Sequence, residues 1–249
     1  VCWQWKGSGQ GTGVGTDVAE SGNNPGFKRQ TNATAGLSII LYVGTGAAGT
    51  IAHGLNSAPK FMMIKSGSTT DPWAVYYGDN TDYLVLNTEA AAVDNAAWWN
   101  DTSPTSSVFT VATDHSVNEN AKSYIAYVWA EVQGFSKIGT YTGNGNASGR
   151  MIATGFKPAW IMVKNITDSG VSWMIQDHKR DIDNPVHHRL KANDSAAEAS
   201  NINQMDFLSN GFKCRVNDSS WNLSGKTYSY MAFAENPFVT STGIPTTAR

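Results

Sequence analysis

The chain has 249 residues, 15% of them charged, with 18 Lys and Arg against 20 Asp and Glu for a net charge of -2. This length allows one or two domains with cores of their own. A charge fraction below the ~25% of typical soluble proteins, with no basic excess, excludes a binder of nucleic-acid backbones. No apolar run approaches the ~20 residues of a membrane-spanning helix, so no membrane insertion is expected.

The first residues, Val1-Cys2-Trp3-Gln4-Trp5-Lys6, alternate like a strand from residue 1. Residues 1–6 are therefore expected to be the last strand of a preceding domain, with the chain continuing upstream. Residues 7–34 read as a Gly-rich linker that fixes no regular element, flexible alone or draped over a neighbour.

From residue 35 a pattern begins that is stated twice, which makes the repeat the first feature to interpret. Gly36-Leu37-Ser38 is matched with Gly134-Phe135-Ser136, and Tyr42-x-Gly44-x-Gly46 with Tyr141-x-Gly143-x-Gly145. Ala52-His53-Gly54-Leu55 is matched with Ala153-Thr154-Gly155-Phe156, and Pro59 to Lys65 with Pro158 to Lys164. Trp73, Leu84, Asn87 and Phe109 answer to Trp173, Leu190, Asn193 and Phe212, and Lys122-Ser123-Tyr124 to Lys226-Thr227-Tyr228. Short apolar runs between Gly, Asn, Asp and Ser turns predict strands. In the first copy they fall at 38–43, 61–65, 73–77, 83–86, 108–111 and 124–131. The second copy has them at 136–142, 160–164, 172–176, 212–216 and 228–235. The runs at 61–65 and 160–164 read as central strands. A short helical turn is expected over Glu89 to Asn95, echoed at Ser195 to Ala199. The fold class is all-β: two tandem jelly-roll-like β-sandwich repeats over 35–132 and 133–238. The tail, 239–249, is rich in Thr, Ser, Gly and Pro.

Matching positions hold apolar, Gly and turn residues, so the duplicated object is a scaffold. His53 matches Thr154, which fits a turn residue that bonds the backbone and not a catalytic base. No GxSxG elbow and no strand–GxGxxG–helix appears. The recurring acids Glu131 and Glu235 each end a strand. Asp177, Asp181 and Asp183 near His187-His188 fit no calcium-loop spacing, and adjacent histidines on a strand face opposite ways. Neither metal nor cofactor is expected. Cys2 and Cys214 have no CxxC partner, and Cys214, opposite Val111, reads as a small buried hydrophobe. Recognition falls to aromatic residues. Trp98-Trp99-Asn100-Asp101 occurs in the first copy only, with Gln204 to Phe207 in its place in the second, and Trp221 stands opposite Val117. An exposed ring beside Asn and Asp suits a sugar; the competing reading packs both rings away. Trp73 and Trp173 recur and are expected in the core.

The Gly-Leu/Phe-Ser, Tyr-x-Gly-x-Gly, His53-Gly54-Leu55, Ala58-Pro59-Lys60, Trp73-Ala74-Val75-Tyr76, Trp99-Asn100-Asp101 and Phe207 to Phe212 motifs, with the closing Ala-Glu-Asn-Pro-Phe, resemble a repeat of tail-fibre and other virion-surface proteins of tailed phages. Trp3-Gln4-Trp5-Lys6-Gly7 resembles the end of a concanavalin-type sandwich that precedes such repeats. The resemblance implies a non-enzymatic structural protein at the virion surface, the C-terminal part of a tail fibre or spike. It also implies self-association as a homotrimer, contact with other virion proteins, and host-surface glycan as ligand. The alternatives are a capsid decoration protein and a secreted carbohydrate-binding module.

Overall fold

The structure, a computed structural model, describes Gln4, Trp5, Gly7 and residues 16–200 and 204–234. It is all-β and divides into two compact units. The N-terminal unit comprises the described residues of Cys2–Leu86 and Ala92–Glu131. The C-terminal unit comprises those of Val132–Arg249 together with Asn87–Ala91. That five-residue segment, placed in the first repeat by sequence, thus belongs with the second. The expected strand at 1–6 and the tail lie largely outside the described residues. Gln4 and Trp5 are in no strand.

In the N-terminal unit one sheet has the order β1-β2-β3-β10-β5-β6-β7-β8. Its members are β1 (Thr16–Val18), β2 (Phe27–Asn32), β3 (Leu37–Val43), β5 (Phe61–Ser66), β6 (Ala74–Tyr76), β7 (Asp82–Val85), β8 (Val93–Asp94) and β10 (Ser123–Trp129). A second sheet pairs β4 (Gly49–Ala52) with β9 (Val108–Val111). Ile40 and Tyr42 of β3 and Ile64 of β5 share one core with Ile51 of β4 and Phe109 of β9, which makes the unit a two-layer sandwich.

The C-terminal unit repeats the plan. β11 (Ser136–Thr142), β18 (Thr227–Ala234), β13 (Pro158–Asn165), β14 (Met174–Asp177) and β15 (Leu190–Lys191) form a sheet of order β11-β18-β13-β14-β15. This is the order β3-β10-β5-β6-β7 over again. β12 (Met151–Ala153), β17 (Gly211–Cys214) and β16 (Met205–Leu208) form the facing sheet, and Phe212, Cys214 and Met205 pack with Ile161, Tyr228 and Tyr230. Central strand β13 is buried at seven of its eight residues except Ala159, as a strand packed on both faces must be.

Three expectations need correction. Residues 7–34 are not element-free: β1 and β2 form a hairpin, and β2 pairs along β3 from Phe27↔Tyr42 to Asn32↔Leu37. Phe-Lys-Arg-Gln-Thr-Asn has a single apolar residue and no alternation to mark it as a strand, and only its two end residues are buried. No helix forms at Glu89 to Asn95 or Ser195 to Ala199. The one-turn helix α1 (Ala96–Trp99) starts later, because the Asn95 side chain accepts from Ala97 N and caps it. The match of Leu37 with Phe135 is one residue out. Leu37 pairs with Trp129 and Ser136 with Phe233, so Leu37 answers to Ser136. The turn glycines Gly36 and Gly134, at φ 67 and 74, sit one step apart relative to the sheet.

Candidate functional site

The tryptophans proposed for a sugar are in the core. Trp98, Trp99 and Trp221 are 4%, 1% and 0% exposed, which leaves no ring face for a ligand. Trp98 stacks on Tyr83 with centroids 3.7 Å apart, and Trp99 meets Tyr76 edge-on while its Nε1 donates to Asp82 O at 3.1 Å. On an extended strand adjacent side chains face opposite ways and one ring would point outward; the helical turn α1 sends both inward. Asn100 and Asp101 are exposed, at φ 56 and 46, and form the turn that ends α1. Trp173 is buried, and Trp73 is half-buried against Tyr127.

What both units share is a set of side chains that hold loops. Tyr42 stacks on Tyr124 and Tyr141 on Tyr228, each pair at 5.0 Å. The Tyr42 hydroxyl donates to Val117 O and that of Tyr141 to Trp221 O. The Tyr124 hydroxyl donates to His115 O and accepts from Glu119 N; that of Tyr228 donates to Ser219 O and accepts from Leu223 N. Asn118 Oδ1 accepts from Thr45 N, and Asn222 Oδ1 from Asn144 N, so each Asn grips a Gly-x-Gly turn. The first Gly of each turn is required by space: a Cβ on Gly44 or Gly143 would lie 2.3 Å from a carbonyl oxygen, Glu119 O or Leu223 O. His53 Nδ1 accepts from Leu55 N, and Thr154 Oγ1 accepts from Phe156 N, so the swap keeps one acceptor for one turn. Lys65 and Lys164 likewise donate to carbonyls of the loop that follows them. Lys164 is fully buried, and burial pushes its ammonium down to about 8 against the upward pull of Glu89 and Asp168.

A polar cluster occurs in the C-terminal unit, where the segment between Trp173 and Leu190 is longer than that between Trp73 and Leu84. Arg180 Nε donates to Asp177 Oδ2 and its Nη1 to Glu198 Oε2, both at 2.6 Å. Asp181 accepts from His187 N, His188 N and His188 Nδ1. Burial alone would raise the Asp181 pKa, but these donors outweigh it, and the carboxyl ends below its ordinary value. The acids weighed for calcium thus accept N–H donors of their own loop, while Asp183 is exposed. Among the described residues no three His, Cys, Asp or Glu side chains are placed to hold a metal. Cys214 is a buried free thiol, raised to about 12 by burial, which makes it a poor nucleophile.

The N-terminal unit carries an open groove of about 490 Å³ between β1, β2, β3 and β10. Val18, Leu41 and Val43 line it and are 39%, 53% and 45% exposed. Asp17 and Lys28, paired at 3.1 Å, and Glu20 lie along it. The sequence signal of this surface is Ile39-Ile40-Leu41-Tyr42-Val43, apolar at every position where a half-exposed strand would alternate.

A family model described as "Domain of unknown function (DUF7483)" matches residues 1–237, so the chain belongs to that family. One family model therefore spans both repeats. No curated protein and no solved structure matches the chain.

Proposed function

We propose that the chain is a non-enzymatic structural protein of a phage virion surface, the C-terminal part of a tail fibre or spike. The observation that carries this reading is the nature of what was duplicated. The tyrosine pairs, the asparagines, the lysines and the His53/Thr154 position spend their polar atoms chiefly on backbone groups of turns, as a load-carrying scaffold requires. Their sequence resembles virion-surface repeats. Host-surface glycan, first sought at Trp98 to Asp101 and Trp221, is reassigned to the groove around Leu41 and Val43. There aliphatic side chains meet the apolar face of a sugar beside the polar groups of Asp17, Glu20 and Lys28.

Two measurements test it. Mass spectrometry of purified phage particles encoding the chain should find it as a stoichiometric component of the tail; recovery only as free secreted protein, or on the capsid lattice, contradicts the fibre reading. Leu41→Ser with Val43→Ser should cut adsorption to host cells on the order of tenfold, equivalent to about 1.4 kcal/mol. Unchanged adsorption removes the groove from the account.

A further inference from the structure

Among the described residues, nothing in the C-terminal unit fills the place where the N-terminal unit holds Phe27. In the N-terminal unit, Phe27 pairs opposite Tyr42 and is 6% exposed, in the core with Tyr42 and Ile51. The residues before it are fastened too. Asn24 Oδ1 accepts from Thr50 N at 2.8 Å, Asn23 O accepts from Thr45 Oγ1 at 3.0 Å, and Gly26 O accepts from Val43 N at 3.3 Å.

Among the described residues the β1–β2 hairpin has no counterpart in the C-terminal unit, where β11 opens the strand order. At the corresponding place lies an open cavity of about 290 Å³ lined by Thr140, Tyr141, Thr142, Arg150, Met151 and Ile152. Tyr141 and Ile152 stand where Tyr42 and Ile51 stand. Tyr42 and Ile51 are 3% and 0% exposed, whereas Tyr141 and Ile152 are only partly buried and Met151 is 42% exposed. Tyr141, Met151 and Ile152 line it beside Thr140, Thr142, Arg150 and Asn222, and among the described residues no side chain takes the place that Phe27 has in the other unit.

We propose that residues 236–242 of a second copy of this chain fill it as an added antiparallel strand, with Phe238 in the place of Phe27. The segment reads Asn236-Pro237-Phe238-Val239-Thr240-Ser241-Thr242; the natural filler reads Asn24-Pro25-Gly26-Phe27-Lys28-Arg29-Gln30-Thr31. Both place Asn-Pro before a Phe and follow it with an uninterrupted run fit for a strand, here rich in β-branched residues. The register Phe27↔Tyr42, Lys28↔Leu41 becomes Phe238↔Tyr141, Val239↔Thr140. The same chain cannot supply the Phe. Ala234 N bonds Phe135 O, so the chain leaves β18 at the far end of β11 from Tyr141. Phe135 to Tyr141 is about 20 Å of strand, whereas the four residues from Ala234 to Phe238 reach at most ~14 Å. Each copy then gives one strand and takes one, a head-to-tail contact of the kind that builds rings or filaments and adds main-chain pairing to an edge strand.

Disulfide trapping between full-length copies tests this. In a Cys2→Ser background, one tagged copy carries Thr140→Cys and a differently tagged copy carries Val239→Cys; Cys214, 1% exposed, stays out of reach. Antiparallel partners have Cα atoms within the range a disulfide spans. Mild oxidation should join the two tags, and Phe238→Ala should reduce the joined fraction at least about tenfold. A mixture that stays unjoined overturns the proposal. So does joining that Phe238→Ala leaves unchanged, or a bond within one chain when both cysteines share a copy at high dilution.

Discussion

Asn118 is fully buried: Oδ1 accepts from Thr45 N, and Nδ2 donates to Ala47 O and Ala112 O at 2.7 Å each. Asn118→Ala removes three buried hydrogen bonds to backbone groups, only one of which, Ala47 O, keeps another donor in the Thr45 hydroxyl, and should cost about 3 kcal/mol in urea unfolding of the N-terminal unit. Asn222→Ala should cost a similar amount in the other unit, since it loses bonds to Asn144 and to Asn146 O. Lys164 gives a pH signature. Its folded pKa of about 8 lies below the ordinary 10.5, so between these values the unfolded state binds the extra proton and stability rises with pH. Lys164→Met removes that slope. The stability difference between variant and parent should therefore shift by on the order of 3 kcal/mol in the parent's favour from pH 8 to 10.5, read from paired melting curves. A parallel pair of curves would show that Lys164 does not titrate there. At this scale the sequence told part of the story. The Tyr, Gly and Lys positions were matched between copies, and His53 was correctly read as a turn residue. Asn118 and Asn222 directly follow Val117 and Trp221, a matched pair whose unlike side chains drew the reading to the ring and left the shared Asn beside it unread. Trp98 and Trp99 were weighed for a sugar because one-turn helices leave almost no periodic signal.

Strands fare differently from the segments between them. The predicted runs at 61–65 and 136–142 coincide with β5 and β11 closely, because apolar residues between Gly and Asn turns mark a buried strand. The β1–β2 hairpin did not show, since β2 carries Lys28, Arg29 and Gln30 in a row and owes its order to its pairing along β3. Its anchor is Phe27, and Phe27→Ala should destabilise the N-terminal unit by about 3–5 kcal/mol. A cost under ~1 kcal/mol would mean that the hairpin is loosely held. The longer β14–β15 connection depends on Asp181. Its depressed pKa contributes stability above the ordinary aspartate range, and this is lost as the pH falls through the folded value. Asp181→Asn should therefore lower the melting temperature at pH 7 and flatten the acid limb of the stability profile. An acid limb as steep as the parent's would assign it to other carboxylates.

For the molecule as a whole, the repeat in the sequence becomes two units with the same central strand order, β3-β10-β5-β6-β7 and β11-β18-β13-β14-β15. Matched motifs announced this, and register corrected it by one residue at Leu37 and Ser136. The borrowed segment Asn87–Ala91 was hidden, because allegiance in space follows bonds such as Gly170 N to Glu89 O, which link residues far apart in the chain. The central claim is that one hydrogen-bonded frame was built twice. Amide hydrogen exchange of the intact chain, resolved by residue, tests it most directly. The amides of Thr45, Gly46 and Glu119, and those of Asn144, Gly145 and Leu223, all donate to the buried Asn and Tyr groups of the frame. Both sets should exchange as slowly as the central strands β10 and β18. Exchange near the free-peptide rate in either set would contradict the account.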